Sequence, residues 1–244
     1  MPDPAPGTTR TGRQGRAGRR QAWWDIPLTI AIAVGAVLLI TTFVAKPFSI
    51  PSGSMEDTLQ VGDRVLVNRL VYHSRPIERG DVVVFDGSDS FVPAADVPHR
   101  NPVQGVAAWI AQSFGVVPPD ATDFVKRVIG IGGDTVACCD TQGRVTVNGS
   151  PLAEADYLYP GDDPSFDEFS VQVPDGMLWV MGDHRSNSAD SRSHLGDPGG
   201  GFVPESKVVG RVMAVLWPLN RIGSVPIPSA FARIAASDGA TAPG

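Results

Sequence analysis

The chain has 244 residues, 42% of them hydrophobic and 19% charged, with a formal net charge of −6 and two cysteines. That length holds one sizeable domain, or a smaller one with appendages. Without its first 25 residues, five basic and two acidic, the chain keeps 15 basic against 24 acidic residues, a net −9. So acidic a body excludes nucleic-acid binding, which needs a basic stripe.

Residues 1–25 read as an Arg-rich tail carrying Arg10, Arg13, Arg16, Arg19 and Arg20. Ile26 to Ala45 is free of charge and almost wholly apolar. Its 20 residues make a helix of about 30 Å, the hydrocarbon thickness of a bilayer. Basic flanks stay cytoplasmic, and Trp23 and Trp24 stand where an interfacial aromatic belt would. The expectation is a single-pass cell-membrane protein of type II orientation, its N-terminus cytoplasmic and the lipid bilayer a partner. A cleaved secretory signal is the rival, but Val44-Ala45-Lys46-Pro47 is a poor cleavage site.

Lys46 to Leu59 reads as a connector, and residues 46–222 as an external, mainly β, antiparallel domain. Strands are expected over Asp63–Asn68, Asp81–Phe85, Phe124–Ile129, Arg144–Val147, Met177–Met181 and Val208–Trp217, with turns at Gly132-Gly133 and Asn148-Gly149. A long insertion, residues 86–123, holds Val103, Val106, Ala107, Ile110 and Phe114 at helical spacing. It is either an amphipathic segment resting on the membrane or a small helix capping the core. Tyr157 to Glu168 is an acidic loop, and 223–244 reads as a disordered tail. Cys138 and Cys139 are adjacent, far below the usual Cα separation of a disulfide, and are expected as free thiols. His73, His99, His184 and His194 show no ligand spacing. Neither a metal nor an organic cofactor is expected.

Three segments could carry chemistry. Ser52-Gly53-Ser54-Met55 offers a hydroxyl that is a weak nucleophile until a base takes its proton. In Phe124-Val125-Lys126-Arg127-Val128-Ile129, alternation puts Lys126 with Phe124 and Val128, and Arg127 on the opposite face. A lysine among apolar neighbours loses solvation and tends to the neutral amine. Gly182 to Arg192 packs two acids, two arginines and three serines into eleven residues, enough for a hydrogen-bonded shell around such an amine.

Ile50-Pro-Ser-Gly-Ser-Met, Arg79-Gly-Asp-Val-Val-Val-Phe85, Lys126-Arg-Val-Ile-Gly130 and Gly182-Asp-His-Arg-Ser-Asn-Ser-Ala-Asp-Ser-Arg192 resemble, in order, the boxes of bacterial type I signal peptidases, the leader peptidases. The likeness runs from Ile50 to about Trp217, and the insertion has an actinobacterial look. The resemblance implies a serine–lysine endopeptidase, monomeric, acting on signal-peptide-bearing preproteins after Ala-x-Ala-like sites. It implies Ser54 as nucleophile, Lys126 as base, and the Ser54 N–H with the Ser52 hydroxyl as oxyanion hole. It also implies that Ser188 orients the Lys126 amine, and that Asp190, Arg192 and Arg127 hold the loop. Ile50, Met55, Leu59, Phe124 and Val125 match shallow apolar substrate pockets. Two departures stand out: Asp57 replaces the usual proline after the nucleophile, and His184 the commoner asparagine.

Other readings fit less well. A Ser-His-Asp site would need Asp183 to orient its own neighbour His184, and extended neighbours point apart. No G-x-S-x-G elbow is present. A penicillin-binding type of site needs Lys three residues after Ser, where Asp57 stands. A self-cleaving repressor would carry a DNA-binding domain instead of a span. The non-enzyme alternative is a membrane-tethered β module that binds a partner, its catalysis lost.

Overall fold

The computed structural model describes residues 26–33, 35, 45–88, 90–92 and 122–234. The chain divides into two units, Met1–Thr42 and Phe43–Gly244. In the first, residues 26–33 and 35 are helical and Ile26, Leu28, Ile30 and Ile32 are exposed. No helix among the described residues is long and apolar enough to cross a membrane, and most of the stretch expected to span lies outside them. So does the apolar segment Val103–Phe114 of the insertion.

The second unit is built of β1 (Ala45–Ser49), β2 (Arg64–Asn68), β3 (Val82–Asp86), β4 (Asp123–Ile131), β5 (Thr135–Cys138), β6 (Thr146–Val147), β7 (Ser150–Pro151), β8 (Phe169–Gln172), β9 (Met177–Met181), β10 (Val203–Pro204), β11 (Val208–Trp217) and β12 (Gly223–Ser224). The larger sheet runs β1-β2-β11-β3-β4-β9-β10, with β12 paired to β11; the smaller runs β7-β6-β5-β8. Every strand pairing is antiparallel. The mainly β, antiparallel expectation holds.

Each expected strand is found within a few residues, the segment at Arg144 shrinking to Thr146–Val147. Asn148 and Gly149 both take positive φ, 52° and 75°, as a tight hairpin between β6 and β7 requires. Three expectations are corrected. Ala45, placed at the end of the span, and Lys46 to Ser49, read as connector, form β1. This strand lies at an edge of the sheet, where Pro47 costs no ladder hydrogen bond. The tail is ordered through residue 234: β12 pairs with β11, residues 229–234 are helical, and Ala230, Phe231 and Ile234 are buried in the core. Their apolar side chains supply the burial that a disordered tail lacks. Cys138 and Cys139, expected as free thiols, are joined as a disulfide between neighbouring residues at the end of β5.

Three apolar clusters fill the unit. One gathers Phe48, Ile50, Met55 and Leu59 with valines of β2, β3, β4 and β11. A second sets Phe85, Phe91, Val128 and Val180 beside Phe124. The third packs Trp179, Met181, Ile129 and the helix at 229–234 against the smaller sheet. Strand β4 borders all three. It pairs with β3 on one side and β9 on the other, so its side chains are buried on both faces.

Candidate active site

Lys126 sits midway along β4, opposite Val83 of β3. Such a strand leaves a polar side chain little water to reach, and Lys126 is 3% exposed. Ser54 lies in the 3-10 turn Gly53–Met55 and is 7% exposed. The chain enters and leaves this turn through a loop closed at its base, where Ile50 N–H donates to Asp63 C=O (2.9 Å) and Gly62 N–H to Ile50 C=O (2.9 Å). Leu59 N–H donates to Met55 C=O at 2.7 Å. Met55 and Leu59, both buried, pin the turn to the valines beneath it. Seventy-two residues apart in sequence, the two polar groups meet: Lys126 Nζ lies 2.7 Å from Ser54 Oγ.

Burial pulls the Lys126 amine down from 10.5 to about 8, against the opposing pull of the Asp190 and Asp183 carboxylates. Desolvation penalises the charged form, so about a tenth of the amine is neutral near pH 7. The amine also donates to Val125 C=O at 3.1 Å, which fixes its direction toward the serine. An amine with a free lone pair at hydrogen-bond distance from an alcohol can remove the alcohol's proton.

The loop after β9 lies against the same turn. His184 N–H donates to Ser54 C=O at 3.1 Å, and a Cβ added to Gly182 would collide with the Ser54 carbonyl oxygen and the Ser188 side chain. The 182–192 loop carries its own charges in pairs. Asp190 receives Arg192 Nε at 2.9 Å, Arg192 Nη2 at 2.8 Å and Gly182 N–H at 2.9 Å. Burial pushes the Asp190 carboxyl up, but these donors outweigh it and hold the group below its ordinary value. Arg127 grips the loop through Asp183, with Nε to Oδ1 at 2.8 Å and Nη2 to Oδ2 at 2.6 Å. Arg127 also donates to Gly80 C=O and to Thr58 Oγ1. Its guanidinium carbon lies 4.4 Å from the centre of the Tyr157 ring.

The expected residues are therefore gathered, with differences. Ser188 does not orient the amine: the Lys126 partners are Ser54 Oγ and Val125 C=O, and the buried Ser188 hydroxyl has no partner at hydrogen-bond geometry. It favours the charged form of nearby Asp190 instead. Ser52 is exposed beside the turn. Of the pocket residues, Ile50, Met55, Leu59 and Val125 are buried together in one cluster. Leu59 is wholly buried. Phe124 belongs to the neighbouring cluster, stacked with Phe85 at 5.8 Å, its ring 5.9 Å from Lys126 Nζ.

Asp183 and Thr58 escaped the reading as site residues. Thr58 Oγ1 donates to Asp183 Oδ2. The dense polar loop was itself the signal for Asp183, but its partner Arg127 lies 56 residues away. His184 stacks on Tyr159 at 3.8 Å, with Nδ1 3.3 Å from Glu56 Oε2. Asp183 is fully engaged elsewhere, so no Ser-His-Asp relay forms. Among the described residues no group of His, Cys, Asp or Glu could hold a metal ion.

Comparison with known proteins places the chain in a family. The family model described as signal peptidase, peptidase S26, matches residues 23–217. A probable signal peptidase I of Mycobacterium leprae (strain TN) is 43% identical over 234 residues, covering 85% of this chain and 80% of its own. A signal peptidase I of Mycobacterium tuberculosis (strain ATCC 25618 / H37Rv) is 42% identical over 233 residues, covering 86% and 78%. That of Leptolyngbya laminosa is 36% identical over 203 residues, covering 83% and 84%. The chain belongs to the signal peptidase family, peptidase S26.

Proposed function

We propose that this chain is a serine endopeptidase that removes N-terminal signal peptides from exported preproteins, cutting after Ala-x-Ala-like sites with a Ser54–Lys126 dyad. The observation that carries the reading is the 2.7 Å contact between a buried lysine amine and a serine hydroxyl. Neutral Lys126 takes the Ser54 proton as Oγ attacks the scissile carbonyl carbon. The Ser54 N–H and the Ser52 hydroxyl hold the oxyanion of the tetrahedral adduct, where one donor contributes roughly 3–4 kcal/mol. Lys126 returns the proton to the leaving amine, and the acyl group stays on Ser54 as an ester. Water then adds to that ester, giving a proton to Lys126; the Oγ–C bond breaks as Lys126 returns that proton to Ser54 Oγ, and the signal peptide leaves as an acid that ionises to the carboxylate.

In this reading Val125 C=O aims the amine, while Asp190 with Arg192, and Asp183 with Arg127, hold the loop behind it. Ile50, Met55, Leu59, Phe124 and Val125 shape the shallow apolar surface that accepts small side chains. Residues 1–25 stay cytoplasmic, the apolar stretch from Ile26 crosses the cell membrane once, and the catalytic unit works outside as a monomer. A partner-binding module without catalysis is disfavoured, since such a module has no use for a lysine kept dry beside a serine.

The test is incubation of the detergent-solubilised full chain with a precursor bearing an Ala-x-Ala site. Cleavage is expected in the wild type and absent from both Ser54→Ala and Lys126→Ala. A Ser54→Ala protein that still clips the precursor would overturn the assignment.

A further inference from the structure

Gly182 is the plate against which the Ser54 turn rests, since no side chain fits between its Cα and the Ser54 carbonyl. Its peptide groups are gripped from two sides. Its N–H is held by Asp190 Oδ2 at 2.9 Å, and its C=O accepts Arg185 Nε at 2.9 Å. Arg185 is 3% exposed, and a buried guanidinium stays in place only where its charge is met. Glu154 meets it, in the segment between β7 and β8. The carboxylate receives Arg185 Nη1 at 3.2 Å and Arg185 Nη2, and it is itself fixed by Tyr157 O–H at 2.7 Å. Pro164 C=O takes a further Arg185 N–H, and Arg185 C=O receives Arg192 Nη2 at 2.9 Å. Glu154 is 5% exposed and stands outside all four sequence boxes that mark the site.

We propose that Glu154 is a positioning residue of the cleavage reaction, acting through Arg185 and Gly182 to hold the Ser54 turn against Lys126. This rests on the Ser54–Lys126 peptidase reading. Glu154 touches neither substrate nor the reacting atoms; removing its charge frees Arg185 to turn away from Gly182 C=O, and the turn that Gly182 supports loosens. Misplacement of a reacting group by a fraction of an ångström lowers turnover without weakening substrate binding, which depends on the apolar surface.

The experiment measures kcat, KM and Tm of the full chain on an Ala-x-Ala precursor for three proteins. They are the wild type, Glu154→Gln and the double variant Glu154→Leu/Arg185→Met. Glu154→Gln is expected to lose about tenfold in kcat with KM unchanged within about twofold. The double variant replaces a buried ion pair by apolar groups of similar size, an exchange that is often neutral or stabilising. It should therefore recover the wild-type Tm while kcat stays low, because Gly182 C=O has still lost its donor. Recovery of kcat along with Tm would reduce Glu154 to a purely structural part and overturn the proposal. So would an unchanged kcat in Glu154→Gln. A wild type that fails to cleave would sink the peptidase reading and this inference together, whereas active wild type with active variants would sink only the inference.

Discussion

Replacing Lys126 by methionine keeps the stem of the side chain and removes the amine, so it isolates the cost of keeping that amine dry. The amine falls from 10.5 to about 8 on burial, and each factor of ten in proton affinity is worth about 1.4 kcal/mol. The difference is about 3 kcal/mol. Its sign follows from which state holds the proton. Below pH 8 both the folded and the unfolded lysine are charged, and the fold carries the full penalty of a buried ammonium. Between 8 and 10.5 the unfolded chain binds a proton that the folded one does not, so wild-type stability climbs with pH. The variant has no such slope. Urea unfolding of detergent-solubilised protein at steps from about pH 6.5 to about pH 10 should show Lys126→Met the more stable by up to about 3 kcal/mol at the acid end. The lost hydrogen bonds, each worth about 1 kcal/mol, reduce that gain, and the gap should close toward the alkaline end. A stability difference that does not change with pH would refute the reasoning.

Gly182→Ala should lower kcat by about a hundredfold, since the new methyl must push the Ser54 carbonyl and Ser188 aside and a shift of about 1 Å costs that much; steady-state cleavage checks it. Arg127→Met leaves Asp183, wholly buried, without its ion-pair partner, and should destabilise the fold by about 3–5 kcal/mol in urea unfolding. The single-turnover cleavage rate should fall as pH drops below about 8, roughly tenfold per pH unit, because only the neutral amine can accept the serine's proton. Flat rates between about pH 6 and about pH 9 would exclude a lysine base.

Legibility in the sequence tracked the range of the interactions. Strands such as Met177–Met181 and Val208–Trp217 carry their own apolar pattern, and Asn148-Gly149 its own turn chemistry, so both could be read locally. Strand β1 hid behind Pro47, because its status as an edge is a property of the sheet and not of the segment. The helix at 229–234 was missed because Ala230, Phe231 and Ile234 show their purpose only against Trp179 and Met181 of the same cluster. At the site, Ser54 and Lys126 were found through four short boxes in order. The acceptor that aims the amine was not, since the Val125 carbonyl has no side-chain signature. Glu154 and Tyr157 reach Arg185 and Arg127 across 31 and 30 residues, and only the fold could pair them.

The central claim is that burial beside Ser54 holds the Lys126 amine well below its ordinary value, so that a neutral fraction is present near neutral pH. NMR titration of the full chain with carbon-labelled lysine, the Lys126 signal assigned by its loss in Lys126→Met, reads that protonation directly. A midpoint at about 8 is expected, against the ordinary 10.5. A midpoint at the ordinary value would mean a solvated, charged amine and would contradict the account.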